Sequence, residues 1–214
     1  MKTQTFLASA TLAIMLGGPA LSMAGNDGKL SSPQTTLSQV EVEDILLMRE
    51  EEKLARDVYI TLYAQWGTPV FANISRAERR HMSRMLRLID NYGLTDPVTD
   101  DSVGVFVNPE LQVLYDTLVA RGLSSELDAL FVGALIEEVD IEDLQAAIDR
   151  TTHLDTKRVY ENLMRGSRNH LRAFVRNIER QGISYEAQEI DQDAVDLILS
   201  EPIERGGRGG SHRS

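Results

Sequence analysis

The 214 residues contain no cysteine. That absence excludes disulfides, cysteine-bearing zinc sites, iron–sulfur clusters and thiol catalysis. Histidine is scarce, with four copies at positions 81, 153, 170 and 212. Basic residues are in deficit: 22 Lys and Arg stand against 33 Asp and Glu, a formal net charge of −11. A chain so anionic is repelled by phosphate backbones, which argues against a nucleic-acid partner. Long apolar runs are also missing. The most hydrophobic stretch, Phe6 to Met15, is too short to span a bilayer.

That stretch sits between Lys2 and the small residues Ser22-Met23-Ala24. A positive start, a short apolar middle and small side chains before a cleavage point are the order of a secretory signal. A buried N-terminal helix is the other reading, and the Gly/Pro-broken end of the segment disfavours it. Residues 1–24 are therefore expected to be a signal peptide, with the protein exported to the periplasm or beyond and no membrane span in the mature chain. Residues 25–37, rich in Ser, Gly and Thr, read as a flexible lead-in. The Gly/Arg-rich residues 201–214 read as a disordered tail, which includes His212.

Between these ends the pattern is helical, and no alternating run is long enough for a sheet. Ser38 with Glu41 forms a capping box and opens a helix to Trp66. A second helix is predicted from about Phe71 to Tyr92, stopped by Gly93. Asn108-Pro109 opens a shorter one that ends at Gly122. Ser124-Ser125 opens a third long helix to about Arg150, and Asp155 or Thr156 opens a fourth that ends at Gln181-Gly182. A short helix from Asp191 to Ser200 closes the domain, 38–200.

Steps of three and four along each long helix trace a stripe that faces a bundle core. Each stripe is interrupted near its middle by polar groups: Glu52 in the first, Glu78 and His81 in the second, Glu137 and Asp140 in the third, Ser167 and His170 in the fourth. Taken singly, each interruption reads as a solvated helix face. Four interruptions at one height reverse that preference, because a buried carboxylate is costly unless it is paired or binds a metal. Four carboxylates and two imidazoles suit two iron or manganese ions. In Glu50-Glu51-Glu52, two of the three are expected on the solvent side. His153, at a helix junction, is expected to be a loop residue off the seam.

Four segments carry a resemblance: Glu-Lys-Leu-Ala-Arg-Asp-Val-Tyr (52–59), Ala-Glu-Arg-Arg-His-Met (77–82), Gly-Ala-Leu-Ile-Glu-Glu-Val-Asp-Ile-Glu-Asp-Leu (133–144) and Gly-Ser-Arg-Asn-His-Leu-Arg-Ala-Phe (166–174). Together the chain resembles the ferritin-like superfamily, in particular its erythrin and rubrerythrin branch and a set of ferritin-like proteins grouped as a domain of unknown function. The resemblance implies an all-α four-helix bundle with one long crossover between the second and third long helices. It also implies a di-iron site built from one Glu on each of two helices and Glu-x-x-His on each of the other two. Glu52, Glu78, His81 and His170 match those positions. Ser167 replaces the Glu expected before His170, and Glu137-x-x-Asp140 supplies two carboxylates where one is usual.

The implied function is redox chemistry toward dioxygen or peroxide, or iron oxidation and sequestration. Without a cysteine-bound second centre, electrons would come from an external donor. Tyr59 reads first as a packed core residue and second as a group that assists electron movement. The alternative to all of these is a non-catalytic, metal-stabilised or purely structural helical bundle.

Overall fold

The computed structural model describes residues 36–205. The expected signal peptide, most of the lead-in, and His212 with the end of the tail lie outside the described residues. Among the described residues six helices follow one another: α1 Gln39–Trp66, α2 Pro69–Tyr92, α3 Pro109–Gly122, α4 Glu126–Arg150, α5 Leu154–Arg180 and α6 Gln192–Ser200. No strand occurs among the described residues.

The helix ends follow from local chemistry. Ser38 Oγ accepts from the Glu41 amide, and the Glu41 carboxylate accepts from the Ser38 amide at 2.9 Å, which completes the capping box. Gly67 stops α1 in the left-handed region at φ 67°, where its amide reaches Tyr63 O. Helix α2 begins two residues before the predicted Phe71, because Pro69 sits in its first turn, where a missing amide costs nothing. Asn108 and Ser125 cap α3 and α4 with their side chains. Helix α5 begins at Leu154, just ahead of the predicted start, with His153 at the capping position.

Helix α1 packs against α2 and α4, and α5 packs against α4 and α2. Polar contacts fix the directions. Asp44 meets Arg150 and Tyr59 meets Glu137, so α1 and α4 are antiparallel. The remaining side of the packing is set by His81 lying against Gly166 while Glu78 meets His170, which makes α2 and α5 antiparallel. The connection from α2 to α4 carries α3, which packs on α1 and α4.

Buried apolar residues divide into two clusters. One gathers Val58, Leu62, Phe71, Leu130, Leu171 and Phe174; the other gathers Ile45, Met48, Met85, Leu88, Leu144 and Leu163. The polar interruptions of the four helices fall between them. Close packing of the first cluster requires Gly133, where a Cβ would stand 2.4 Å from the Phe174 ring.

The segment 52–59 also holds the crossover. Lys53, 2% exposed, donates to Asp57 at 2.6 Å and to the carbonyls of Ser102 and Val105 at 2.9 Å, with its ammonium 4.2 Å from the centre of the Phe106 ring. Arg56 reaches Asp101 at 2.6 Å, and Arg49 forms a two-pronged pair with Asp96. The tail expected from 201 is anchored at its start: Glu204 accepts from Arg168 at 2.8 and 2.6 Å, and from Arg172.

Candidate metal centre

Five of the six residues singled out by periodicity come together at the middle of the packed helices. Glu52, Glu78 and His81 form one group whose ligand atoms lie within 4.8 Å of one another, and Glu78, Glu137 and His170 form a second. Glu78 belongs to both. Its Oε2 lies 2.7 Å from His81 Nδ1 and its Oε1 lies 2.8 Å from His170 Nδ1. Glu52 closes the first group at 3.2 Å from His81 Nδ1, and Glu137 closes the second at 3.3 Å from His170 Nδ1. The two imidazoles are 5.8 Å apart between ring centres and nearly parallel.

The groups are dry. Glu137 is fully buried, and Glu78, Glu52 and His81 are 1%, 4% and 5% exposed. Burial pushes the Glu52 carboxyl up to about 8 against the pull of His81, and burial likewise raises Glu137. For Glu78 burial acts in the same upward sense, but His170 and His81 outweigh it and hold the carboxylate well below its ordinary range. Burial lowers the His81 imidazole, yet Glu52 and Glu78 outweigh this and hold it up at about 10; His170 is raised in the same way by Glu78 and Glu137. Protons on the imidazoles thus balance the buried carboxylates, and a bound cation would take over that charge.

Contacts around the groups fix their orientation. The Tyr59 hydroxyl donates to Glu137 Oε1 at 2.6 Å and lies 3.3 Å from Gly133 O. Tyr59 is the packed core residue expected, fully buried beside Phe71 and Phe174, and it also orients a carboxylate. Gly166 admits the His81 ring, since a Cβ there would stand 2.5 Å from His81 Cε1. Ser167 is 1% exposed, and its hydroxyl donates to Leu163 O at 3.4 Å.

Asp140 lies one turn beyond Glu137 and is 8% exposed, but it stands outside both groups. Burial first, and then Glu137 and Glu52, raise its carboxyl well above the ordinary range. Glu51 departs from the expected solvent face: its Oε2 is buried without a hydrogen-bond partner, because α4 packs over this side of α1. His153 is not an open loop residue. It occupies the position before α5, is 8% exposed, and meets Glu41 Oε1 at 2.7 Å, joining the start of α1 to the α4–α5 junction. Glu138, fully buried, accepts from the Tyr185 hydroxyl and from the amides of Gln188, Glu189 and Ile190, which ties the segment before α6 to α4. Neither role shows in the periodicity, because the partners are backbone groups or distant in the chain.

Comparison with known proteins places this arrangement in a family. The model of the "Uncharacterized protein domain (DUF2202)" matches residues 41–202. The chain is 49% identical over 176 residues to "Uncharacterized protein MJ0754" of Methanocaldococcus jannaschii, covering 82% of this chain and 95% of the relative. The crystal structure of that protein superposes with a TM-score of 0.78, covering 81% of this chain and 99% of the other. All the residues of both candidate groups fall inside the matched span, and the chain belongs to the DUF2202 family.

Proposed function

We propose that this chain is an exported, ferritin-like di-metal protein, in which the four long helices form a bundle, with one long crossover, around two iron ions, or iron and manganese. The direction of the helices and the crossover between α2 and α4 support the ferritin-like reading. The signal-like residues 1–24 support export.

One observation carries the metal reading. Glu78 Oε1 and Glu137 Oε2 lie 2.8 and 3.3 Å from His170 Nδ1, and all three atoms are buried without a well-aligned hydrogen bond. Buried oxygen and nitrogen donors from three helices within 4.8 Å of one another are an arrangement that can hold a cation. Carboxylates and neutral imidazoles suit iron or manganese.

In this reading Glu52 and His81 hold one ion, Glu137 and His170 hold the other, and Glu78 is shared. Asp140, one turn on from Glu137, stands outside both groups. Bound iron supplies one-electron chemistry toward dioxygen, peroxide or further ferrous iron. The protein's own part is geometric and dielectric. Tyr59 fixes Glu137, Gly166 leaves room for His81, and the two apolar clusters keep water out. Electrons come from an external donor, since the chain carries no cysteine for a second redox centre.

A second reading, a non-catalytic metal-binding bundle, is favoured by Ser167. Its hydroxyl is spent on the Leu163 carbonyl, and α5 brings His170 but no carboxylate to the two groups. Elemental analysis of the purified protein, with an optical spectrum after aerobic iron loading, tests the proposal. Bound iron with a charge-transfer band that changes on peroxide addition supports the redox reading. Bound but unreactive metal supports the second reading, and no bound metal refutes both.

A further inference from the structure

Asp140 and Glu51 are left without partners by the centre just described. Asp140 is 8% exposed and has no hydrogen bond or ion pair among the described residues, and the buried Glu51 Oε2 has none either. An ionised carboxylate in such a place is costly unless something of opposite charge reaches it. No basic side chain does so. Arg150, at the end of the same helix α4, is engaged by Asp44 at 2.7 and 3.0 Å.

The register of α1 against α4 shows where these groups meet. Asp44 opposes Arg150, and further along α1 Tyr59 opposes Glu137. Two turns on from Asp44 comes Glu51, and two turns back from Arg150 comes Asp143, so these two face each other across the seam. One step deeper, Glu52 faces Asp140. Along α4, Glu137, Asp140 and Asp143 recur every third residue on one face, and their exposure rises from fully buried, to 8%, to half-buried. A row of carboxylates thus runs from the edge of the α1–α4 seam to the inner ligands.

We propose that Glu51, Asp140 and Asp143 form an outer divalent-cation position on the α1–α4 seam, through which ions load into the inner centre. This inference rests on the reading that the inner residues hold metal. The outer residues offer oxygen ligands alone, without the imidazoles that make the inner groups retentive. They also do not converge within 4.8 Å of one another as the inner groups do. An ion held there keeps much of its water and exchanges quickly, which suits passage rather than storage. The row of carboxyl oxygens leads a cation inward from the half-buried Asp143 to the buried Asp140.

The test uses Co2+ as probe, with uptake followed by stopped-flow absorbance and final content by elemental analysis. The variants are Glu51→Gln with Asp143→Asn, and Glu161→Gln on the exposed face of α5 as a surface-carboxylate control. The double variant is expected to reach wild-type Co2+ content about tenfold more slowly. The Glu161→Gln protein is expected to load like wild type. Loading of the double variant at the wild-type rate to full content overturns this inference and leaves the inner centre standing. Loss of final Co2+ content in the double variant also overturns it, because Glu51 and Asp143 would then be permanent ligands. A wild-type chain that takes up no Co2+ overturns the inner centre and this inference with it.

Discussion

The Tyr59 hydroxyl bonds Glu137 Oε1 at 2.6 Å, and this leaves Oε2 of the same carboxylate for His170. One helix thus orients a group on another from within the apolar layer. Removing the hydroxyl while keeping the ring, Tyr59→Phe, is predicted to preserve the fold and weaken one of two metal-binding steps by about tenfold to a hundredfold. A Co2+ or Mn2+ titration resolves the two steps. Equal weakening of both, or of neither, contradicts the assignment of Glu137 to one ion.

The ion-free protein is predicted to lose stability as pH rises from about 5 to 9. Glu52 is raised to about 8 by burial, so between 4.5 and 8 the folded chain binds a proton that the unfolded chain does not. His81 is raised to about 10 by Glu52 and Glu78 despite burial, and its contribution, complete below 6.5, is lost through 10. Both slopes have the same sign. Thermal melts in chelator across this range check it, and added divalent cation is expected to flatten the dependence by taking over the charge of those protons.

The fall toward acid has a different origin. Glu41 is held at about 2: burial opposes this, but bonds from Ser38, His153 and Thr152 outweigh it. Its contribution is present above 4.5 and is lost as pH drops toward 2. His153→Ala removes one of these bonds and is predicted to cost about 1–3 kcal/mol of stability while leaving metal content intact. His81→Ala and His170→Ala are predicted to do the reverse, with metal lost. Equal metal loss in all three variants, measured by elemental analysis, contradicts the placement of the site.

Most helix ends were legible because each carries its own chemistry: the Ser38–Glu41 box, Pro109 in the first turn of α3, and Gly67 and Gly93 with positive φ. Glu52, Glu78, His81, Glu137 and His170 were legible because steps of three and four place them on the inner stripes. Glu51 was not, since its burial comes from the packing of α4, which a stripe on α1 does not show. His153 and Lys53 were not either. Glu41, the partner of His153, lies more than a hundred residues away, and Lys53 binds carbonyls of the crossover, which no side-chain pattern marks.

Gly166→Ala is predicted to disturb the centre more than Ser167→Ala, although Ser167 is the departure from the ferritin-like pattern. The added methyl stands 2.5 Å from His81 Cε1 and must displace the imidazole, whereas Ser167 bonds only its own helix. Metal content of the two variants checks this. Full retention by Gly166→Ala with loss in Ser167→Ala contradicts it.

Glu78 offers the most direct test, because both candidate groups share it. Elemental analysis of wild type and Glu78→Gln after loading with ferrous iron is predicted to find about two ions per chain in the first and none retained in the second. A wild-type chain without bound iron, or a Glu78→Gln chain that keeps both ions, would contradict the account.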